Sequence, residues 1–401
     1  MLKFLETNDE SLCCGCRACE QICHVNAISM FKNNEGFYYP KLNKKICVNC
    51  GLCEKVCPEM GKPLGQKPIE IYAIQHKNKD ILKESSSGGA FRLLADEIIK
   101  DGGCVVGCIW DENYQPILAI ANTFEELLPM QGSKYLSSNT LNIYTQVKER
   151  LKNRQKVLFT GAPCQCAGLI KYLGKNYENL LTADFLCHGM PSQEIFNQYL
   201  NTIESKLKLS KNKSSRKITS YKFRDKSKKG WGHTSSYTWL YNNKEYKKYS
   251  IGSIDEYDYG FLKGYFNRYS CYSCNFRGKN RFTDFTFCDY WGIQNYHSEF
   301  IYNKGVSALS VNTLKSKVFF EKIKEKAIYT KTDLKNVSKE NPTLLHEKIE
   351  TIPTERKQIY KILKELGWKT VAKKYFRREN YWLYRIWYFL PEWMTKLIKK
   401  N

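Results

Sequence analysis

Long uninterrupted apolar runs are missing from this chain of 401 residues. Because a membrane-spanning helix needs about 20 consecutive and mainly apolar residues, we expect no such helix. The first residues, MLKFLETNDE, also lack the layout of a signal peptide, so we expect a cytoplasmic protein. In that compartment the 17 cysteines are more typical of metal ligands than of a disulfide scaffold.

Acidic residues are scarce: 40 Asp and Glu stand against 64 Lys and Arg, a formal net charge of +24. This excess is compatible with nucleic acid, an anionic membrane surface, an acidic redox partner or a phosphorylated substrate. Most of it is Lys beside abundant Asn, Ile and Tyr, which is also the amino-acid bias of an AT-rich genome. No nucleic-acid-binding module is recognisable, so we predict no nucleic acid and favour an acidic redox partner such as a ferredoxin.

Two copies of the pattern C-x2-C-x2-C-x3-C carry the clearest signal. They comprise Cys13, Cys16, Cys19 and Cys23, then Cys47, Cys50, Cys53 and Cys57. Three thiolates at this spacing wrap one face of a [4Fe–4S] cubane, and the fourth ligates the other cluster. One cluster should therefore take Cys13, Cys16, Cys19 and Cys57, and the other Cys47, Cys50, Cys53 and Cys23. The sequence predicts a ferredoxin-type domain over residues 1–62 that moves electrons.

A pair of zinc sites is the alternative, but zinc motifs usually present two CxxC knuckles without a third close cysteine and a trailing one. Two departures from the ferredoxin pattern remain. His24 stands where the first copy would carry proline, and we interpret it as a surface histidine. Cys14 is a ninth thiol, which we interpret as a small buried residue or one that lies just outside the ligand set.

The rest of the chain alternates apolar runs with helical periods. After a Gly/Pro/Lys linker near residues 61–68, the pattern predicts helices over 91–100, 142–152 and 192–207, strands over 102–110 and 180–189, and a strand with a turn over 156–165. Segment 216–250 is typical of an antiparallel hairpin around Asn242 and Asn243. We therefore predict an α+β or α/β fold with three parts. They are the ferredoxin-type domain, an α/β domain with a mixed sheet over 68–325, and a basic helical extension over 326–401.

Six short motifs occur in order in this second part. They are SSSGGAF (85–91), QGSKYLSSN (131–139), GAPCQ (161–165), LCHGMPS (186–192), FRDKSKKGW (223–231) and CYSCNFRGKNRFTDFTFCDYWG (271–292). With the N-terminal cysteines, they make the chain resemble the family of coenzyme F420 hydrogenase/dehydrogenase beta subunits over roughly residues 10–295. The chain looks most like fused ferredoxin forms associated with polysaccharide biosynthesis.

The resemblance implies a flavin domain, usually with FAD and less often FMN, that carries its own iron–sulfur cluster. Four cysteines match the cysteine positions of the family pattern: Cys164, Cys187, Cys271 and Cys274, whereas Cys288 in the last motif is extra to that pattern. A dispersed set of this kind suits a third [4Fe–4S] cluster between the ferredoxin clusters and the flavin. The alternatives are a zinc site at Cys271 and Cys274 or ordinary buried thiols. Arg281 and Asp284 are expected to form an ion pair that braces this loop.

Two motifs are our candidates for the flavin site. The first is the small-residue loop ahead of a helix, whose backbone N–H groups suit an anion, although such a loop is more often a helix cap. No G-x-G-x-x-G pattern is present, so a primary nicotinamide site is not expected. The predicted cofactor-binding residues are Ser86, Ser87, Gly88, Gly89, Gly132, Ser133, Lys134 and Tyr135. Lys134 is predicted to stabilise the reduced flavin, and Arg224 and Lys226 to line the substrate face.

The C-terminal segment interleaves basic and aromatic residues. It suits a helical cover on the protein's own core, or an interfacial segment anchored on an anionic membrane by Trp382, Trp387 and Trp393. We therefore expect a cytoplasmic protein, with peripheral contact at the inner face of the membrane as the alternative for this segment.

We predict an iron–sulfur flavoprotein oxidoreductase. Single electrons would pass through the clusters, and the flavin would exchange hydride with a small-molecule substrate or a deazaflavin-type coenzyme. The alternative is an electron-transfer relay subunit that serves a separate catalytic partner.

Overall fold

The computed structural model describes residues 2–208, 217–252, 254–345, 351–377 and 381–389. Within these ranges the strands are β1 Ile28–Lys32, β2 Tyr38–Leu42, β3 Glu70–His76, β4 Cys104–Trp110, β5 Pro116–Ala121, β6 Val157–Gly161, β7 Leu180–Phe185, β8 Ile218–Lys222, β9 Thr234–Tyr241, β10 Lys244–Ile251, β11 Phe285–Asp289, β12 Ser307–Val311 and β13 Ala327–Thr332.

The helices within the same ranges are α1 Lys3–Thr7, α2 Ala18–Ile22, α3 Leu52–Lys55, α4 Lys79–Glu84, α5 Ala90–Lys100, α6 Ile143–Lys152, α7 Pro163–Leu173, α8 Gln193–Lys208, α9 Glu256–Leu262, α10 Tyr269–Tyr272, α11 Leu314–Ile323, α12 Leu334–Lys339, α13 Arg356–Tyr375 and α14 Tyr381–Phe389. The described helices include none that is long and apolar enough to cross a bilayer.

The N-terminal domain consists of short helices around the β1–β2 hairpin. The strands pair antiparallel from Ile28 opposite Leu42 to Lys32 opposite Tyr38. The domain packs against α6 and α7 through Cys16, Ala18 and Val56, which belong to one buried cluster with side chains of those helices. This small domain therefore shares a core with the rest of the chain.

A mixed sheet with strand order β13-β3-β12-β11-β7-β6-β4-β5 forms the larger domain. Strands β4, β6, β7 and β11 run parallel to their neighbours in this series, whereas β5, β12, β3 and β13 pair antiparallel. The predicted small ferredoxin-type domain followed by a mixed α/β domain is confirmed. The sheet includes Ala327–Thr332, which lies beyond the predicted domain end at residue 325. Strand β13 begins only a few residues after α11 ends at Ile323, so the hydrophobic pattern alone does not distinguish the strand from the helix.

A second sheet, β10-β9-β8, contains the predicted hairpin. Asn242 and Asn243 join β9 to β10 with φ values of 49° and 57°. Positive φ at both central residues suits the right-handed twist of a tight hairpin, and asparagine tolerates it better than most residues.

The C-terminal extension packs on the protein's own core through α13. Ile359, Ile362 and Trp368 are buried with Phe196 and Tyr199 of α8. On α14, by contrast, the side chains of Trp382, Leu383 and Ile386 are exposed. Membrane contact at this helix stays a prediction, and the side chain of Trp387 and all of Trp393 lie outside the described residues.

One residue of α13 also holds the N-terminal domain. The guanidinium of Arg356 donates to both carboxylate oxygens of Glu35, at 2.9 and 2.5 Å, and is fully buried. It lies 3.9 Å from the ring centre of Tyr269 and donates to the carbonyl oxygen of Asn267. The C-terminal helix therefore ties the β1–β2 turn to the segment that carries Cys271.

Candidate functional site: thiol groups and an adjoining cavity

The first group of thiols surrounds one small cavity. Cys13, Cys16, Cys19 and Cys57 all line a space of about 70 Å³ in the N-terminal domain. These are the four residues that the crossed ligand pattern assigns to one cluster, so the chain brings Cys57 back to the first motif. Burial raises the pKa of Cys57 to about 11, so this thiol stays protonated unless a metal binds it.

The second group lies at the surface of the same domain. The thiols of Cys47 and Cys50 lie close enough to Cys53 to raise its pKa, although burial is the larger cause. Cys23, the fourth predicted member, accepts a hydrogen bond from the backbone nitrogen of Ala27 at 3.1 Å. Its place in this group stays a prediction.

A third group forms where β7, α7 and α10 meet. Cys164 is the second residue of α7, Cys187 follows β7, and Cys271 and Cys274 lie in and just after α10. Burial is the main cause that raises the pKa of Cys187, Cys271 and Cys274, whereas the pKa of Cys164 is raised first by its hydrogen bond with Cys14 and then by burial. Cys187 and Cys274 thus lie near enough to influence both Cys164 and Cys271, although among the described residues no three His, Cys, Asp or Glu side chains are arranged to hold a single metal ion.

Cys14 connects the first and third groups. Hydrogen bonds from the thiols of Cys16 and Cys164 lower its pKa well below the usual value. We interpreted Cys14 from the sequence as a small buried residue or one beside the ligands. Its partner Cys164 lies 150 positions along the chain by residue number, and no sequence pattern signals that contact.

Arg268 lies beside the same junction. Its guanidinium donates to the backbone oxygens of Cys13 and Tyr38, at 3.1 and 2.8 Å, and its centre lies 4.4 Å from the ring centre of Tyr39. Because Arg268 is three residues before Cys271, it holds the third group against the N-terminal domain. The sequence analysis missed this residue.

The predicted ion pair between Arg281 and Asp284 is wrong. Arg281 donates instead to Asp184, at 2.5 Å, whereas Asp284 accepts from the backbone nitrogen of Thr182 at 2.9 Å. The carboxylate of Asp284 is occupied by the backbone of Thr182, and the guanidinium of Arg281 reaches Asp184 near the end of β7. Arg281 still braces the loop through the carbonyl oxygen of Gly278.

A larger cavity of about 260 Å³ opens where the parallel strands end. Gly161 at the end of β6, Phe185 at the end of β7 and Asp289 at the end of β11 all line it. The carboxyl ends of parallel strands are where open α/β sheets bind ligands. Its wall is mainly apolar and aromatic, and Cys187 of the third thiol group is part of it.

The predicted cofactor-binding motifs meet in this wall. The lining includes Ser86, Ser87, Gly89, Gly132, Ser133, Lys134 and Tyr135. The hydroxyl of Ser86 accepts from the backbone nitrogen of Ser133 at 2.7 Å, which joins the two motifs. Gly88 lies behind the wall, where an added Cβ would come within 2.2 Å of the carbonyl oxygen of Ile74.

The residues predicted to be catalytic are engaged by the protein itself. The ammonium of Lys134 donates to the carbonyl oxygens of Pro129, Gln131 and Gly132, at 3.0, 3.4 and 3.1 Å. The ammonium of Lys226 donates to the carbonyl oxygens of Leu82, Ser87 and Lys304, at 2.5, 2.9 and 2.7 Å. It therefore braces the loop over residues 85–89, which we call the serine loop, from outside the cavity.

Arg224 forms a buried ion pair with Asp289, with 2.7 Å between Nη1 and Oδ2. It also donates to the hydroxyl of Tyr135 at 3.1 Å, so it supports two residues of the cavity wall from behind. Its Nη2 is buried and has no hydrogen-bond partner among the described residues.

Trp291, His188 and Cys288 also line the cavity but were not predicted as site residues. The rings of Trp291 and Trp231 stack with 4.2 Å between their centres. Both tryptophans lie in motifs that the family resemblance rests on. The motifs could therefore have pointed to these tryptophans, but a motif does not show which of its side chains faces the cavity.

These features define an iron–sulfur electron-transfer protein. Residues 12–60 match the model of a 4Fe-4S dicluster domain, which supports two [4Fe–4S] clusters. Residues 154–337 match the model for the C terminus of the beta subunits of coenzyme F420 hydrogenase/dehydrogenase. This match covers less than half of the chain, so it shows a resemblance to that family, and a dicluster domain precedes the matched residues.

Two relatives are components of oxidoreductases. The F component of the F(420)H(2) dehydrogenase of Methanosarcina mazei is 22% identical over 172 residues, 41% of this chain and 49% of that protein. Coenzyme F420-dependent sulfite reductase of Methanocaldococcus jannaschii is 30% identical over 176 residues, 42% of this chain and 26% of that protein. The chain thus spans about half or less of the length of these curated relatives.

A solved structure of the F420-reducing [NiFe] hydrogenase complex from Methanosarcina barkeri contains a similar chain. It is 16% identical, with a TM-score of 0.42, over 77% of this chain and 91% of that one. At that TM-score the likeness is too distant to say more about this chain.

Proposed function

We propose that this chain is an iron–sulfur flavoprotein oxidoreductase, with a third [4Fe–4S] cluster between the N-terminal domain and a flavin in the cavity. One observation supports this most strongly. Cys187 lies among the thiols of the third group and also lines the cavity. Cys14 provides the matching contact at the other end of that group, since it touches both Cys16 and Cys164.

The residues present fit both kinds of cofactor. Burial disfavours the charged thiolate form of the cysteines in the third group. Iron would bind that thiolate and so offset the effect of burial on the pKa. The mainly apolar and aromatic cavity suits a flat ring system, and α5 begins at its wall with Ala90 and Phe91. When bound, iron–sulfur clusters supply single-electron transfer, and FAD, or less often FMN, supplies exchange of both single electrons and hydride.

The chain's own residues shape and dry the cavity. Ser86 and Ser133 hold the two wall motifs together, and Lys226 fixes the serine loop from behind. Tyr135 stacks on Phe261 with 4.7 Å between ring centres, which closes one side to water. We assign Lys134, Arg224 and Lys226 as positioning residues, because their donors are directed largely to protein acceptors.

The substrate class we propose is a small-molecule hydride donor or acceptor, with a deazaflavin-type coenzyme as the first candidate. The names of both relatives point to coenzyme F420. An acidic redox protein would exchange single electrons with the N-terminal domain.

The test uses anaerobically purified full-length protein. Acid release should yield about one flavin per chain. A reduced deazaflavin should then bleach both the flavin and the iron–sulfur absorbance without a second polypeptide. Protein that binds no flavin even after reconstitution would contradict the proposal.

A relay subunit without its own substrate is the second candidate. It is favoured by the internal engagement of Lys134 and Lys226, which leaves neither ammonium free for chemistry in this conformation. Flavin-free protein that still passes electrons to a partner enzyme would support the relay.

A further inference from the structure

The surface around the second thiol group, residues 41–55, is what we call the distal face. Of the 17 cysteines, all of which lie in the described part of the chain, Cys50 alone is exposed. Beside it the apolar side chains of Ile46 and Val48 are 46% and 57% exposed. A predicted cluster ligand therefore lies at the surface within a small apolar patch.

The charge of the distal face is mainly positive. Lys41, Lys44, Lys45 and Lys55 are all exposed, and Glu54 is the only acidic residue in this stretch of sequence. Four exposed lysines and two exposed apolar side chains thus lie within one stretch of 15 residues.

An apolar centre with a charged rim is the usual arrangement of a docking surface. Electron-transfer complexes are small and short-lived, so an exposed patch of this size is enough. Positive charge at the rim speeds encounter with a negatively charged partner and orients it. These properties favour a small acidic protein over a larger permanent subunit.

We propose that the distal face is the docking surface for a small acidic electron-transfer protein. The inference rests on the proposed function and adds where the protein partner binds. Cys47, Cys50 and Cys53 would hold the iron that accepts one electron from the reduced partner, which would thereby be oxidised. No proton or atom is transferred.

The first measurement is binding, which does not depend on turnover. An oxidised acidic ferredoxin of the 2[4Fe–4S] type serves as the probe, and its dissociation constant is measured by calorimetry at low and high salt. The double variant Lys44→Glu/Lys45→Glu should weaken binding about tenfold or more, because like charges now meet at the rim. Added salt should weaken binding to the unmodified protein in the same direction.

The control is Lys100→Glu/Lys152→Glu, which changes the net charge equally. Lys100 ends α5 and Lys152 ends α6, so both are exposed lysines that lie outside residues 41–55 and near the starts of the strands that follow. Binding should stay within about twofold of the unmodified protein. Equal loss in both double variants would overturn the proposal, because the attraction would then come from the overall charge. Unchanged binding in Lys44→Glu/Lys45→Glu would overturn it too.

A second measurement separates this inference from the proposed function. Stopped-flow absorbance follows reduction of the iron by reduced ferredoxin and, separately, by dithionite. Lys44→Glu/Lys45→Glu should slow the protein reaction about tenfold at low salt and leave the final extent of dithionite bleaching unchanged. If dithionite bleaches nothing in the unmodified protein, the proposed function fails while the binding result still decides the docking surface. If anionic phospholipid vesicles bind the distal face and the ferredoxin does not, a membrane is the partner and the proposal is overturned.

Discussion

The N-terminal thiol groups and the cavity of the larger domain differ in how their parts come together. The cysteines of the first domain lie within two short motifs; Cys57 crosses to the first group, and Cys23 is predicted to cross to the second. The cavity wall is built from segments between Ser85 and Asn341. In the N-terminal domain, the spacing of the cysteines is therefore enough to predict the cluster ligands. In the larger domain, a side chain's role depends on which acceptors the fold puts beside it.

The largest expected effect tests whether the third thiol group binds an iron–sulfur cluster, as the first two are predicted to do. Cys274→Ala should lower the iron content by about four atoms per chain, because one ligand of a cubane is lost. Cys166→Ala is the control, since Cys166 is fully buried and its thiol donates to the carbonyl oxygens of Gly161 and Ala183. Iron and acid-labile sulfide are measured in both. Equal iron in the two variants would show that Cys274 is not a ligand.

The next effect concerns the contact that joins the two regions. Glu35→Gln should lower the free energy of unfolding by about 3 kcal/mol, because Arg356 is fully buried and loses its charge partner. Glu321→Gln is the control. Its partner Lys324 and Glu321 itself are 30% and 56% exposed, so we expect a much smaller loss than in Glu35→Gln. Urea denaturation followed by tryptophan fluorescence compares them. Similar losses in both variants would mean that Arg356 does not hold the two regions together.

A smaller effect tests the cavity wall. Gly88→Ala should raise the dissociation constant for flavin about tenfold, which corresponds to about 1.4 kcal/mol. The added Cβ would meet the backbone of Ile74 and Ser307, at 2.2 and 2.5 Å, and push the serine loop into the cavity. Gly232→Ala is the control, because an added Cβ there meets nothing within 4 Å. Fluorescence titration of reconstituted protein measures both constants. An unchanged dissociation constant in Gly88→Ala would show that the serine loop does not contribute to flavin binding.

The smallest effect concerns Lys134. Because its ammonium donates to three carbonyl oxygens of its own loop, Lys134→Met should cost about 1 kcal/mol of stability. The flavin potential should change little. A clearly more negative potential, measured by dye-coupled reduction, would restore the role that the sequence suggested, a cation beside the reduced flavin.

The sequence predicted the type and order of the main elements better than the contacts between them. The helix over 91–100 and the strand over 102–110 are present as α5 and β4, and the hairpin at Asn242 and Asn243 is present as well. Strands β3 and β12 were not predicted. Each is a short segment flanked by loops, and its pairing partner is distant in the chain.

The same limit applies to the site. Motifs located Cys164, Cys187, Cys271 and Cys274, because these four cysteines match cysteine positions of the family pattern. They did not reveal that Asp184 would pair with Arg281, since the choice between Asp184 and Asp284 depends on the register of β7 and β11. Nor did they show that Lys226 would brace a loop, because that requires three carbonyl oxygens from three separate segments.

Iron and acid-labile sulfide in the unmodified, anaerobically purified full chain test the central claim most directly. That claim is a continuous series of thiol groups from the N-terminal domain to the cavity wall at Cys187. It predicts about twelve iron atoms and as many sulfides per chain, four for each of three cubanes. A value of about eight after full reconstitution would leave Cys164, Cys187, Cys271 and Cys274 without a cluster and would contradict it.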